Sequence, residues 1–331
     1  MNESMKAVRQ HKLGGELLVE SLPLPEPGPG QVLVKMAAAP INPADLASIR
    51  ESYMDSSWPF TPGFEGAGTV VKVGKGVFPS LRMGKRVACS PLHGGDGTWA
   101  EYMLAEAMST VVLPSSLDLH SGSMMLVNPL TAMALLQLAR KGKHRAIVHN
   151  AAASSLGKML IRLTAGEGLP LISIVRRQEH VNELKDMGAR LVLNSEDKNF
   201  SEQLHKLSHD HGATFFLDAV TGPQSGRLLE AAPRGSTLVA YARLSGEAIS
   251  CDPASFIKEE KQITGFQLGN YLAGQSIPAK LRLLSRVKKQ MPGSLSSEIR
   301  ERFALENINE ALDYNKNNRK GGKILLVPGH K

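Results

Sequence analysis

Apolar positions in the first third of the chain come in short runs. KAVRQ, ELLVESLPLPEP, QVLVKMAAAPI and GAGTVVKVG are punctuated by Pro, Gly and Asn, which predicts strands. EPGPGQ is a strong breaker between two of them, GVFPSLRMGKRVAC continues the extended pattern, and GDGTWAEYMLAE follows. After residue 118 the rhythm changes. LHSGSMMLVNPLTAMALLQLARKGK reads as one helix leading into the strand AIVHN. Helix-like and strand-like runs then alternate: SLGKMLIRLTAGEG, PLISIVR, QEHVNELKDMGA, RLVLN, FSEQLHKLSHDHG, TFFLDAV, GPQSGRLLEAAPRG and STLVAYA. This alternation predicts an α/β fold, a doubly wound parallel sheet with helices on both faces. Glycines close several of the predicted helices. PAKLRLLSRVKKQ reads as a further helix, and the last stretch reads strand, helix, loop, strand and is expected to rejoin the first domain.

Composition narrows the classes. The chain has 331 residues, 42% hydrophobic and 21% charged, which is ordinary for a globular protein of about two domains. Net charge is +8, which favours anionic ligands, but the basic residues are scattered and aromatics make up only 5%. A nucleic-acid surface is therefore not expected. Two cysteines, Cys89 and Cys251, define no disulfide framework. The polar start MNESMKAVRQ lacks a signal-peptide core, and Asn128 and Pro129 interrupt the longest apolar run. The expectation is a cytoplasmic protein without a membrane partner.

The stretch HNAAASSLGK joins a predicted strand to a predicted helix. A dinucleotide pyrophosphate needs backbone N–H donors, the positive end of a helix and side chains small enough for close approach. Ala152, Ser154, Ser155 and Leu156 lead to Gly157, the one glycine of the turn and the expected point of close helix–strand packing. The next strand ends in Arg176 and Arg177, about 20 residues on, where an NAD site places a carboxylate for the ribose 2′-OH. Guanidinium groups there favour the 2′-phosphate of NADP. Tyr241 follows the strand STLVA, at a carboxyl end where such sheets bind ligands.

INPADLASIRESY, PGFEGAGTVVKVG, GTWAEY, VNPLTAMALL, NAAASSLGK, ITGFQL and GGKILLVP together resemble the zinc-independent medium-chain dehydrogenase/reductases, the quinone reductase-like enzymes and 2-enoyl thioester reductases. The resemblance covers nearly the whole chain. It implies a GroES-like β-rich catalytic domain from residues 1–121 and 278–331, and a Rossmann NADP-binding domain from residues 122–277. Ser155 departs from the pattern, since most relatives have glycine there. A serine adds a Cβ, which would be strained if the position required a positive φ. Zinc-dependent relatives would have Cys at Asn42 and His at Phe64, so no catalytic zinc is expected. Glu65 alone is no zinc site, and His205, His209 and His211 read as an exposed helix end.

In the enoyl thioester reductases that this chain resembles, the residue matching Tyr53 serves the reaction. A phenol suits that task, because it donates a hydrogen bond to a developing enolate oxygen and relays a proton. Asn42 is expected to orient nicotinamide or substrate carbonyl groups, and Asp45 to cap the helix LASIRES. Thr131 resembles the family position near the nicotinamide, and Phe266 and Leu268 the stretch lining its pocket. Trp58, Trp99, Phe60 and Met54 are candidates for an apolar acyl or quinone pocket, core packing being the alternative. The expected activity is NADPH-dependent reduction of a conjugated C=C, on an enoyl-CoA, enoyl-ACP or related small-molecule enone. NADPH:quinone oxidoreduction and a non-catalytic NADPH-binding protein are the alternatives. The resemblance also implies a homodimer, with ITGFQL the candidate edge strand.

Overall fold

The computed structural model describes residues 3–51, 58–317 and 321–330. They divide into two compact units: the residues up to Asn128 with Lys288–Pro292 and those from Ser296 onward, and Pro129–Val287 with Gly293–Leu295.

The first unit opens with strands β1 (Ser4–Gln10), β2 (Leu17–Pro23) and β3 (Gln31–Pro40), then helix α1 (Pro43–Arg50) and strand β4 (Gly66–Val73). A short helix α2 (Val77–Ser80), strands β5 (Arg86–Cys89), β6 (Tyr102–Glu106) and β7 (Val111–Val112), and helix α3 (Leu119–Gly122) follow. Next come helix α4 (Val127–Lys141) and the alternating series β8 (Ala146–His149), α5 (Ser155–Ala165), β9 (Leu171–Val175), α6 (Gln178–Asp186), β10 (Leu191–Asn194), α7 (Phe200–His211), β11 (Ala213–Asp218), α8 (Pro223–Glu230) and β12 (Thr237–Ala240). Helix α9 (Pro253–Glu259), strand β13 (Gln262–Gly265) and helices α10 (Leu268–Ala273) and α11 (Ile277–Gln290) end that series. Strand β14 (Ile299–Phe303), helix α12 (Ile308–Asn317) and strand β15 (Lys323–Leu326) close the chain.

In the first unit β3 is the hub, antiparallel to β4, to β6 and to β15, so the C-terminal strand shares a sheet with N-terminal ones. Val32, Val34, Met36, Val70, Val87, Cys89 and Met103 form one core on this sheet. A second core gathers Val8, Ile41, Trp99, Phe303, Ile308 and Leu326.

The second sheet runs β10-β9-β8-β11-β12-β13, with every pairing parallel. That is the doubly wound order, whose direction reverses between β8 and β11. β8 and β9 are buried along their whole length, as parallel strands covered by helices on both faces must be.

Two local expectations need correction. The long apolar helix expected from residue 119 is two helices, with Ser123–Leu126 between them. Pro129 lacks an N–H and is tolerated only in a helix's first turn, so a helix containing it starts just before it. The stretch from Gly76 to Cys89 is not extended throughout, because Val77–Ser80 makes a helical turn ahead of β5.

Candidate active site

The loop from Asn150 to Ser154 leaves β8 at the carboxyl ends of the strands, beside the switch point. Ser154 is the N-cap of α5, its hydroxyl accepting from the Gly157 N–H at 3.1 Å. Ser155 is the first helical residue and Leu156 and Gly157 are buried. A Cβ at Gly157 would stand 2.4 Å from the Ala152 carbonyl oxygen and 2.7 Å from its Cα, so only glycine lets the helix approach the loop this closely. Ser155 is not among the residues with positive φ; the left-handed position is Ala151, at φ 49°. A side chain at 155 therefore carries no left-handed strain, and the cost sits four residues earlier.

Asn150 fixes the crevice. Its amide donates to Asp218 Oδ1 at 2.6 Å and accepts from the Ala219 N–H at 2.7 Å, joining the ends of β8 and β11. Asp218 also accepts from the N–H groups of Val220 and Thr221 and from the Ser225 hydroxyl. Tyr241 follows β12 beside this network, with its N–H donating to the Asp218 carbonyl at 3.0 Å. Its hydroxyl is buried without a partner among the described residues. Burial, then the charge of Asp218, push that phenol above its ordinary pKa. Such an orphaned hydroxyl needs a polar partner from outside the chain or remains a cost. His149, in β8, shares a 2.8 Å hydrogen bond with the Ser173 hydroxyl, and burial lowers its pKa to about 3, so it is neutral.

Arg176 and Arg177 follow β9. Arg176 is exposed and makes no ion pair among the described residues, while Arg177 lies 3.2 Å from Glu179. Thr131 is buried in the second turn of α4. Phe266 and Leu268 are half-buried beyond β13, and the Phe266 ring lies 5.7 Å from that of Tyr271.

The first unit holds a separate buried polar cluster. Asn42, Asp45, Glu65 and Lys323 are all at most 5% exposed. Asn42 precedes α1, and its N–H donates to Asp45 Oδ2 at 2.7 Å while the Phe64 N–H donates to Oδ1 at 2.9 Å. Asp45 thus anchors the start of α1 and the segment before β4. The Asn42 side chain donates to Glu65 Oε1 at 3.0 Å and accepts from the Lys323 ammonium. Glu65 Oε2 accepts from the N–H groups of Leu126 and Val127, at 2.8 and 2.9 Å, where α4 begins. A carboxylate placed there satisfies donors that a helix start leaves open. Burial pushes Asp45 up to about 7 against the pull of its two backbone donors. It also raises Glu65, opposed first by the charge of Lys323, and lowers Lys323.

Tyr53 and Met54 lie outside the described residues. Trp99 is wholly buried, and Trp58 meets Phe60 edge-on at 4.8 Å. His205 and His209 stack on one another along α7. Among the described residues no helix is long and apolar enough to cross a membrane.

Residues 28–115 match a family model described as the alcohol dehydrogenase GroES-like domain, and residues 155–286 one described as zinc-binding dehydrogenase. The chain is 30% identical over 261 residues to the mitochondrial enoyl-[acyl-carrier-protein] reductase of Caenorhabditis elegans, covering 77% of this chain and 74% of that one. The corresponding Bos taurus protein is also 30% identical, over 259 residues, 76% of this chain and 69% of the other. The chain belongs to the medium-chain dehydrogenase/reductase family. A solved structure of a candidate NADPH:quinone reductase from Mesorhizobium loti matches with a TM-score of 0.91 at 30% identity over 99% of both chains. The GroES-like and Rossmann folds implied by the sequence motifs are those of this medium-chain family member.

Two members of these buried networks escaped the sequence reading. Lys323 was visible as a lone cation opening the apolar strand KILLV, and Asp218 as a carboxylate closing TFFLD. Neither residue belongs to a motif, and their partners lie far away in sequence.

Proposed function

We propose that this medium-chain oxidoreductase reduces the conjugated C=C of 2-enoyl thioesters with NADPH. The observation that carries the reading is the loop Asn150–Gly157 at the switch point, followed by Arg176 and Arg177 at the end of β9. Bound there, NADPH supplies a hydride for the β-carbon of the enoyl group. The chain's own residues do the rest. The start of α5 offers N–H donors to the pyrophosphate, and Arg176 and Arg177 offer guanidinium donors to the 2′-phosphate. The orphaned Tyr241 hydroxyl offers a hydrogen bond at the crevice. Thr131, Phe266 and Leu268 are assigned to the nicotinamide end.

Tyr53 is assigned the hydrogen bond to the thioester carbonyl oxygen and the delivery of the proton. Asn42 is assigned a positioning role, because its amide oxygen is occupied by Lys323 and its amide N–H by Glu65. With Asp45 it fixes the start of α1, the helix that precedes Tyr53 in the sequence. The names of the curated relatives support the acyl-thioester reading. Quinone reduction is the second reading, supported by the full-length similarity to the Mesorhizobium loti structure. A homodimer joined through the edge strand β13 is part of the proposal.

Oxidation of NADPH measured with crotonyl-CoA and, separately, with 1,4-quinones distinguishes the readings. The proposal expects a larger kcat/KM for crotonyl-CoA. A larger value for the quinone overturns it in favour of the second reading.

A further inference from the structure

The second unit carries an unassigned cavity with an unusual charge balance. The sequence has no Asp or Glu from residue 119 to 166, nor from 261 to 297. These two stretches meet at a cavity of about 650 Å³, bounded by Gln137 and Lys141 at the end of α4, Tyr271 of α10, and Arg282, Ser285 and Arg286 of α11. Arg282 and Arg286 stand one helical turn apart, so both heads serve the same rim. Among the described residues, three cations thus line the cavity and no carboxylate does. A fourth, Arg140, pairs with Glu167 outside the lining, and burial and the charge of Arg286 lower its pKa. Like charges gathered without a counter-ion cost stability, and an anion in the cavity would offset that cost.

The neutral groups fit the same ligand. The Tyr271 hydroxyl donates to Gln137 Oε1 at 2.7 Å, which turns the Gln137 amide so that its Nε2 remains a donor. Leu283 gives the cavity an apolar floor. A volume of this size exceeds what a lone phosphate fills and lies in the range of small-molecule sites. Arginine pairs present the forked donors that phosphate oxygens accept. None of the lining residues belongs to the Asn150–Gly157 loop or to the Arg176–Arg177 pair.

We propose that this cavity is a second anion site, taking a small molecule that carries a polyphosphate group, separate from the nucleotide loop. Calorimetric titration of the full chain with inorganic tripolyphosphate, with and without NADPH, tests it. With NADPH occupying the nucleotide loop, saturable binding of one tripolyphosphate per chain is expected; without NADPH, binding at the cavity persists with the same affinity. Arg282→Gln with Arg286→Gln should weaken it at least tenfold, and Tyr271→Phe a few-fold, while Arg176→Gln with Arg177→Gln leaves it unchanged. Both α11 arginines are exposed, so the double variant should keep the wild-type melting temperature. The absence of saturable binding, equal binding by the α11 variant, or loss in the Arg176/Arg177 variant instead would each overturn the proposal. The readout is binding and not turnover, so it stands or falls apart from the enoyl reductase reading.

Discussion

A methyl group at position 157 has no room, because the backbone of Ala152 already fills its place. Gly157→Ala should force the loop and α5 apart, lowering stability by about 1–3 kcal/mol, as overpacking does. NADPH affinity should fall at least tenfold, read by fluorescence titration. Ala151→Gly should act in the opposite sense. Release from the left-handed region, less the entropy of a glycine, should raise stability by about 0.5–1 kcal/mol in urea unfolding. Lys323→Met removes the donor to the Asn42 amide oxygen and the charge that opposes the burial of Glu65, and loss of such a buried donor costs about 1–3 kcal/mol. Asp45 gives a pH signature. Its folded pKa of about 7 lies above its ordinary value of 3.8, so folding favours the protonated acid. The stability this contributes is full below about pH 4 and is lost as pH rises through 7. Asp45→Asn lacks that titration. The wild type's stability advantage over the variant should therefore shrink between pH 5 and 8 in urea melts; an advantage that grows would refute the raised pKa.

At the scale of elements, the parallel sheet was legible because each buried strand is a short continuous apolar run bounded by turn residues. The βα turn proposed for the nucleotide was legible as a turn, through its small residues and its position between a strand and a helix. The place of Arg176 and Arg177 just past β9 was legible because the apolar run LISIV marks where that strand ends. Less legible was the break before α4. Leu126 and Val127 turn their N–H groups to Glu65, some 60 residues away, and no local periodicity carries that information. The short helices α9 and α10 were missed for a related reason, since neither buries a residue that would print a helical apolar stripe. β13 is exposed along its whole length at the edge of the sheet. Unpaired strand edges recruit other strands, and a lysine on such an edge discourages it. On the proposed homodimer, Ile263→Lys should shift sedimentation velocity from dimer to monomer; a wild type that sediments as a monomer overturns the proposed β13 pairing.

At the scale of the whole molecule, the Rossmann unit carries the proposed nucleotide loop, and the GroES-like unit holds the buried Asn42–Asp45–Glu65–Lys323 cluster that fixes the start of α1. Loss of both guanidinium groups in Arg176→Ala with Arg177→Ala should cut the preference for NADPH over NADH by about 10- to 100-fold, as expected for charge-assisted hydrogen bonds. Tyr53→Phe should lower kcat with crotonyl-CoA by about 100-fold or more, the usual contribution of a proton donor. The most direct test of the central claim is the mass spectrum of the product formed from crotonyl-CoA and NADPH deuterated at C4 on the transferred face. Butanoyl-CoA with one deuterium on its β-carbon is the expected product; unreacted crotonyl-CoA, or butanoyl-CoA without the label, would contradict enoyl reduction by hydride transfer.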